Sequence, residues 1–164
     1  MFPALRPILN KGGAGRYISR ADSVERLRPV ADRHLDLLYA YDGIVGGMPA
    51  GPGRERLEAM MPYLRTEVSK MSETILSLGG VPPSGVRRTP GGAGTAGPDA
   101  YAGRPARERV EALLEAERDF GGALRDEADA VHHQERTRAI LNHNAEASDA
   151  RRDLLRDVAA DLAR

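Results

Sequence analysis

The segment GGVPPSGVRRTPGGAGTAGPDAYAGR, residues 79–104, decides how the rest of the chain can fold. It contains twelve glycine and proline residues, which exclude regular structure over most of its length. The segment is too long for a tight turn between antiparallel neighbours, but it can travel the whole height of a helical bundle. It therefore predicts a crossover that joins two helical halves of the chain.

The half before the crossover contains two predicted helices, in which apolar residues recur at intervals of three and four. The first is predicted to begin near Asp22, and the second runs from about Arg54 to Leu78. We expect Pro29 to delay or bend the first helix, and Pro62 to kink the second or to split a short piece from it.

The half after the crossover contains two further predicted helices. One begins near Pro105, and a turn around His132 to Glu135 separates it from the last. Polar residues interrupt the apolar stripes of three of the four helices, namely His34 and Tyr41 in the first, Glu117 in the third, and Asn144, Ser148 and Arg151 in the fourth. We expect Gly121 and Gly122, in the third helix, to permit close approach of a neighbouring helix or a local bend.

Composition and charge narrow the class of protein. The 164 residues predict one domain, a bundle over residues 21–164 preceded by a flexible tail over 1–20. The 24 basic and 24 acidic residues cancel, which argues against a nucleic-acid partner. The chain has no cysteine, which excludes disulfides and thiolate chemistry. It also has no apolar run of membrane-spanning length and no secretory signal, so we expect a cytoplasmic protein without membrane contact.

Two motifs resemble a known family. The second predicted helix ends in ETILSLGGVPP, residues 73–83, and the third contains LLEAERD, residues 113–119. These motifs are similar to the second and third helices of bacterial ferritin-like proteins of unknown function, over roughly residues 22–162. The resemblance implies an all-α, ferritin-like, up-down four-helix bundle with a long crossover between helices 2 and 3, and a homo-oligomer, expected to be a dimer.

The resemblance also implies positions for a dinuclear iron site, which needs a glutamate from each of two helices and a Glu-x-x-His pair from each of the other two. The matching positions are His34 on helix one, Leu64 and Glu67 on helix two, Glu117 on helix three, and Glu146 with Asp149 on helix four. Helix three is the only helix that matches the family pattern fully, because Glu117 stands where the pattern requires glutamate. The standard ligand set is therefore broken on helices one, two and four, which predicts against ordinary ferroxidase activity.

Two interpretations of the surviving ionisable residues remain open beside a third, in which they are merely solvated helix faces. In the first, Arg151 supplies a fixed positive charge where relatives use metal, Glu67 and Glu117 pair with it, and His34 completes a hydrogen-bonded layer. In the second, one divalent ion of manganese, iron or zinc is bound by His34, Glu67, Glu117 and one of Glu146 or Asp149. We favour the first, because an arginine so close would repel a cation.

The function expected from the sequence is that of a ferritin-like protein without a complete di-iron site, a non-enzymatic stress-associated or assembly protein that needs no cofactor. The alternative is a divalent metal-binding protein that stores or oxidises iron or manganese through a degenerate site. A third possibility is a binding module that uses residues 2–9 or the crossover arginines Arg87, Arg88 and Arg104. The remaining histidines, His132, His133 and His143, are expected at the surface.

Overall fold

The computed structural model describes residues 20–84, 103–131 and 134–164, and these residues form four α-helices and no strand. The helices are α1 (Arg20–Gly46), α2 (Pro52–Ser77), α3 (Ala106–Ala130) and α4 (Glu135–Asp161). The prediction of an all-α protein with four helices is confirmed for the described part of the chain. Residues 1–19 of the tail predicted over 1–20, and the central part of the crossover, residues 85–102, lie outside it, whereas Arg20 is the first residue of α1.

The helix ends follow the glycine and proline signals. Pro52 occupies the first turn of α2, and Pro105 directly precedes α3. At the other end of α2, Gly79 has a φ of 83°, and the Gly80 N–H donates to Ile75 O at 2.9 Å. This is the left-handed helix stop that glycine favours, because a residue without Cβ adopts positive φ without strain.

The two internal prolines were expected to disturb their helices, but α1 begins at Arg20, earlier than predicted, and continues through Pro29. Similarly, α2 is a single element that contains Pro62, so no short piece is split from it. The alternatives, a bend at Pro29 and a kink at Pro62, stay predictions. Both prolines are exposed. A carbonyl that loses its helical donor on the exposed side of a helix can still be hydrated, which lowers the penalty of the proline there.

Contacts near the helix ends establish which helices are neighbours. Arg26 Nη1, near the start of α1, lies 3.6 Å from Glu127 Oε2, near the end of α3. Arg56 Nη2, near the start of α2, lies 3.1 Å from Asp157 Oδ2, near the end of α4. Thus α1 runs antiparallel to α3, and α2 runs antiparallel to α4. The most extensive contact joins α3 to α4, whereas α2 and α4 share the least extensive of the main contacts.

The core consists of the apolar stripes of the four helices, which meet along the bundle axis. Leucine is the commonest large residue in it, and isoleucine, valine and methionine side chains are buried beside it together with Phe120 and Tyr41. Seven polar or charged residues are buried with them. Four of these, namely His34, Glu117, Ser148 and Arg151, form the site described next together with Tyr41 and the partly buried Glu67.

Candidate functional site

Side chains from all four helices meet in one layer inside the bundle, which we call the charged layer. Its members are His34 and Tyr41 from α1, Glu67 from α2, Glu117 from α3, and Ser148 and Arg151 from α4. Each interrupts an apolar stripe or lies beside it, so helix periodicity directs these side chains inward. The layer therefore places two carboxylates and one guanidinium in the interior.

Arg151 is the centre of the charged layer. Its Nη1 donates to Glu67 Oε2 at 2.5 Å, its Nε donates to Glu117 Oε1, and its Nη2 lies 3.3 Å from Glu117 Oε2. The arginine side chain is 4% exposed, Glu117 is fully buried, and Glu67 is 14% exposed. The two contacts to Glu117 use the fork geometry in which guanidinium binds carboxylate most specifically. One α4 side chain thereby links α4 to both α2 and α3.

Glu117 has hydrogen-bond donors for both carboxylate oxygens. Tyr41 donates its hydroxyl to Oε1 at 2.7 Å, and the Ser148 hydroxyl lies 2.6 Å from Oε2. These donors come from α1 and α4, in addition to the contacts with Arg151. A fully buried carboxylate is tolerated only when it is paired and hydrogen-bonded in this way.

Gly121 explains how Ser148 comes so close to α3. A Cβ added at Gly121 would lie 3.2 Å from Ser148 Oγ, a distance tighter than ordinary contact. The same atom added at Gly122 would meet nothing within 4 Å. The predicted close approach of a neighbouring helix is therefore confirmed for Gly121, and it is α4 that approaches.

His34 is the one member of the charged layer without a hydrogen bond. Its side chain is fully buried, and neither ring nitrogen has a partner among the described residues. Nε2 lies 3.8 Å from Glu67 Oε2, which is too long for a hydrogen bond, and the ring packs on Phe120 at a centroid distance of 4.8 Å. The expectation that His34 completes a hydrogen-bonded layer is therefore wrong in that detail, since apolar contact holds the ring.

Burial and charge set the protonation of the layer. Burial lowers the pKa of His34 below 6.5, and Arg151 adds to this effect, so the imidazole is neutral at pH 7. Burial alone would raise the pKa of Glu67, but the neighbouring His34 and Arg151 bring it below its ordinary value. Burial would likewise lower the pKa of Arg151, but Glu117 and Glu67 raise it instead.

The pKa of Tyr41 is also shifted by its surroundings in the charged layer. Burial and the neighbouring Glu117 carboxylate raise the pKa of Tyr41 well above its ordinary value. The hydroxyl therefore stays protonated at neutral pH and remains a hydrogen-bond donor to Glu117.

The charged layer does not fit a metal centre of the kind that the family resemblance implies. The Arg151 guanidinium contacts both carboxylates that would be ligands, and a fixed positive charge repels a cation there. Within residues 20–84, 103–131 and 134–164, no three histidine, aspartate or glutamate side chains are grouped so that they could hold a metal ion.

The five residues predicted as metal ligands are divided between the interior and the surface. His34, Glu67 and Glu117 come together in the charged layer. Glu146 is exposed, and Asp149 pairs with Arg125 and Arg152 on the outside of the bundle. His143 is exposed, as expected, whereas His132 and His133 lie outside the described residues.

Sequence reasoning did not assign Tyr41, Ser148 or Phe120 to the site. Tyr41 and Ser148 were recognised as members of inward stripes, and a polar group at such a position signals a buried partner. Phe120 lies off the predicted stripe of α3, next to Gly121, so its contact with the His34 ring had no signal in the sequence.

None of the helices in the described residues is both long enough and apolar enough to cross a membrane. No protein-family model matches the chain, and no curated protein is significantly similar to it in sequence.

Proposed function

We propose that the chain is a ferritin-like four-helix bundle protein in which an internal ion-pair layer stands in place of a dinuclear metal centre. Its proposed role is non-enzymatic, as a cytoplasmic assembly or stress-associated protein. The observation that supports this proposal is the position of Arg151, which contacts Glu67 and Glu117 together. Both carboxylates are therefore paired with a cationic side chain of the protein instead of a metal ion.

The helix arrangement supports the ferritin-like topology. Gly80, just after α2, packs against Val24 near the start of α1, because a Cβ added at Gly80 would lie 2.4 Å from Val24 Cγ1. Arg109, near the start of α3, donates to Gly47 O at the end of α1 at 3.2 Å. The end of α2 and the start of α3 therefore lie at opposite ends of α1, about 40 Å apart for its 27 residues. Such a separation favours a crossover over residues 79–104.

The energetics of the charged layer support a structural role. A buried ion pair contributes little net stability, because desolvation of both partners offsets their attraction. Loss of one partner is nevertheless costly, since the other charge is left buried and unpaired. In this bundle Arg151 is paired only when α2, α3 and α4 are in register. The layer would therefore specify one arrangement of the helices rather than strengthen helix packing in general.

The direct test of this proposal is the metal content of the protein. The chain is expressed in medium supplemented with iron and manganese, purified without chelator, and analysed for bound elements beside Glu117→Ala and His34→Ala variants. We expect only trace metal in all three, and no acceleration of Fe²⁺ oxidation by the wild-type protein. About one iron or manganese per chain, lost in the Glu117→Ala variant, would contradict the proposal.

That contrary result would favour the second candidate function, a divalent metal-binding protein that stores or oxidises iron or manganese. One observation favours this candidate: within the described part of the chain, both ring nitrogens of His34 are buried without a hydrogen-bond partner, close to Glu67. A neutral imidazole beside a carboxylate is a combination that iron, manganese and zinc accept.

Self-assembly is part of the proposed role, with a homodimer as the expected state. The mass in solution of the full chain tests it, and a mass of twice 17.7 kDa is expected. A variant without residues 1–20 tests the separate idea that the tail mediates assembly. If that variant contains the same number of chains per particle as the full chain, the tail is not part of the interface, and the proposed dimer is unaffected.

A further inference from the structure

Along the outside of the bundle, α2 and α4 place an aromatic side chain beside a small one. Arg56 Nη2 on α2 lies 3.1 Å from Asp157 Oδ2 on α4, so the helix stripes that contain these two residues border each other. Seven residues turn a helical side chain by only about 20°, so Tyr63 continues the stripe of Arg56. Ala150 continues the stripe of Asp157 in the same way. Because the two helices are antiparallel, Tyr63 and Ala150 lie at the same height, about 10 Å from the ion pair.

Tyr63, Ala150 and their neighbours form an apolar surface that we call the α2–α4 rim. Its members are Met60 and Tyr63 from α2, and Ala147, Ala150 and Leu154 from α4. Tyr63 is 72% exposed and Ala150 is exposed beside it, whereas the other three are partly buried. Alanine adds little volume, so the Tyr63 ring lies next to a low part of the α4 surface. Exposed aromatic area of this kind is available for burial against a partner.

One basic and one acidic side chain flank the α2–α4 rim. Lys70 lies about 10 Å beyond Tyr63, and Glu146 lies about 6 Å beyond Ala150, in the same direction along the bundle. Both are exposed, and neither has an ion-pair partner among the described residues. The surface thus carries a cation on its α2 side and an anion on its α4 side, within one helical turn of the same height.

From this we infer that a second copy of the chain docks on the α2–α4 rim, about a two-fold axis parallel to the helices. Rotation by 180° about such an axis places the Tyr63 ring of each copy over Ala147 and Ala150 of the other. It also brings Lys70 of each copy to Glu146 of the other. The surface is therefore self-complementary, as an isologous dimer interface requires. The inference rests on the homodimer of the proposed function and goes further in assigning its surface and contacts.

Charge selects this axis over the alternative. A two-fold axis at right angles to the helices, at the height of Tyr63, would place Lys70 of one copy against Arg56 of the other. Like charges brought together in this way oppose association, whereas the parallel axis pairs opposite charges twice. Tyrosine is also enriched among the residues that dominate binding energy, because its ring buries a large area with few rotatable bonds. Tyr63 therefore supplies affinity, and the Lys70–Glu146 contacts supply orientation.

The test measures the mass in solution of wild type, Tyr63→Arg and Leu76→Arg. Leu76 is the matched control, since it is a 58% exposed apolar residue of the same helix, about 140° around α2 from Tyr63. We expect wild type and Leu76→Arg at twice 17.7 kDa, and Tyr63→Arg at 17.7 kDa. The dissociation constant of the Tyr63→Arg dimer is expected to rise more than about 30-fold. Circular dichroism should be the same for all three, because both substituted side chains are exposed.

Charge reversals test the contact between Lys70 and Glu146, and they decide alone if Tyr63→Arg fails to fold. Lys70→Glu or Glu146→Lys places like charges together at both contacts of the dimer, so each variant alone is expected to dimerise about 10-fold more weakly. An equimolar mixture of the two variants, one of them isotope-labelled, restores opposite charges at both contacts. We expect native mass spectrometry to show the mixed dimer in excess over both homodimers.

Three results would overturn this surface while leaving the homodimer of the proposed function intact. They are a dimer that persists in Tyr63→Arg, a dimer that Leu76→Arg disrupts equally, and a mixture of the charge variants in which the mixed dimer is not enriched. A wild-type chain that remains at 17.7 kDa up to about 100 μM would contradict the surface and the homodimer together. The role of Arg151 in the charged layer is tested separately, by metal content.

Discussion

Arg151 and Arg152 are consecutive on α4, yet they belong to different electrostatic environments. Arg151 is buried and contacts Glu67 and Glu117 in the charged layer. Arg152 is 23% exposed and contacts Asp149 at 3.1 Å, one helical turn away on the outside of the bundle. The residue type is the same, but Arg151 has two carboxylate partners where Arg152 has one, and the two side chains differ in their access to water. In the interior, a lost partner leaves a charge without solvation, whereas at the surface water replaces it.

The largest expected effect in this comparison is that of Arg151→Ala on stability. This change leaves two buried carboxylates without a counterion, and we expect it to lower the free energy of unfolding by about 3–5 kcal/mol. Arg152→Ala should cost less than about 1 kcal/mol, as is usual for exposed pairs. Urea denaturation followed by circular dichroism measures both. Equal losses in the two variants would mean that water reaches the charged layer.

A smaller effect is expected from Tyr41→Phe, which removes one donor to the buried Glu117 carboxylate and leaves the packing of the ring. We expect a loss of about 1.5–3 kcal/mol, the range for hydrogen bonds to charged groups. Tyr63→Phe is the control, because Tyr63 is 72% exposed, and such surface changes usually stay within about 0.5 kcal/mol. Indistinguishable urea midpoints for the two variants would show that Glu117 does not depend on the Tyr41 hydroxyl.

The pH dependence of stability distinguishes the buried histidine from an exposed one. The pKa of His34 is lowered in the folded state, so the unfolded chain binds more protons as the pH falls below 6.5. Stability is therefore expected to fall with acidification, from about pH 6.5 down to the pKa of the folded state, by at most about 1.4 kcal/mol per pH unit for one proton.

The His34→Gln variant should lack this part of the pH dependence, and the exposed His143→Gln should retain it. Glu67 contributes separately in a more acidic range. Because its folded pKa lies below 4.5, its stabilising contribution is present above that pH and is lost as the pH falls through the folded value. Denaturation curves at several pH values give the profile, and a His34→Gln profile that matches the wild type would contradict the assignment to His34.

The smallest expected effect separates the two glycines of α3. Gly122→Ala should stabilise the protein by up to about 1 kcal/mol, since alanine favours helix and the added methyl group meets nothing. Gly121→Ala should bring less gain or a net loss, because its Cβ displaces Ser148 from Glu117. Thermal unfolding measures both, and equal gains would show that Ser148 has room to move.

Helix existence and spacing could be predicted from local patterns. Residues 47–51 separate α1 from α2, close to the predicted start of the second helix near Arg54, and the break between α3 and α4 overlaps the predicted turn. The effects of Pro29 and Pro62 could not be predicted with the same success, because the penalty of a proline depends on whether it lies at the surface or in the core.

The inward positions of His34, Glu117 and Arg151 also followed from helix periodicity. Their pairing did not, since periodicity places residues on a face but does not give the height at which two helices meet. Asp149 illustrates the limit. It follows Glu146 at the spacing of the family's Glu-x-x-His pair, but it lies at the surface with Arg125 and Arg152. On α4, one step along the chain separates the buried charge of Arg151 from the partly exposed charge of Arg152.

The amino-acid sequence by itself determined four amphipathic helices, the turns between them and the composition of their inward faces, because these depend on short-range spacing and on glycine and proline geometry. Tertiary packing alone decided that one arginine binds two glutamates from different helices and that neither ring nitrogen of His34 has a hydrogen-bond partner among the described residues. The two arginine contacts join residues 34 and 84 positions apart in the chain, and only the register of packed helices sets them.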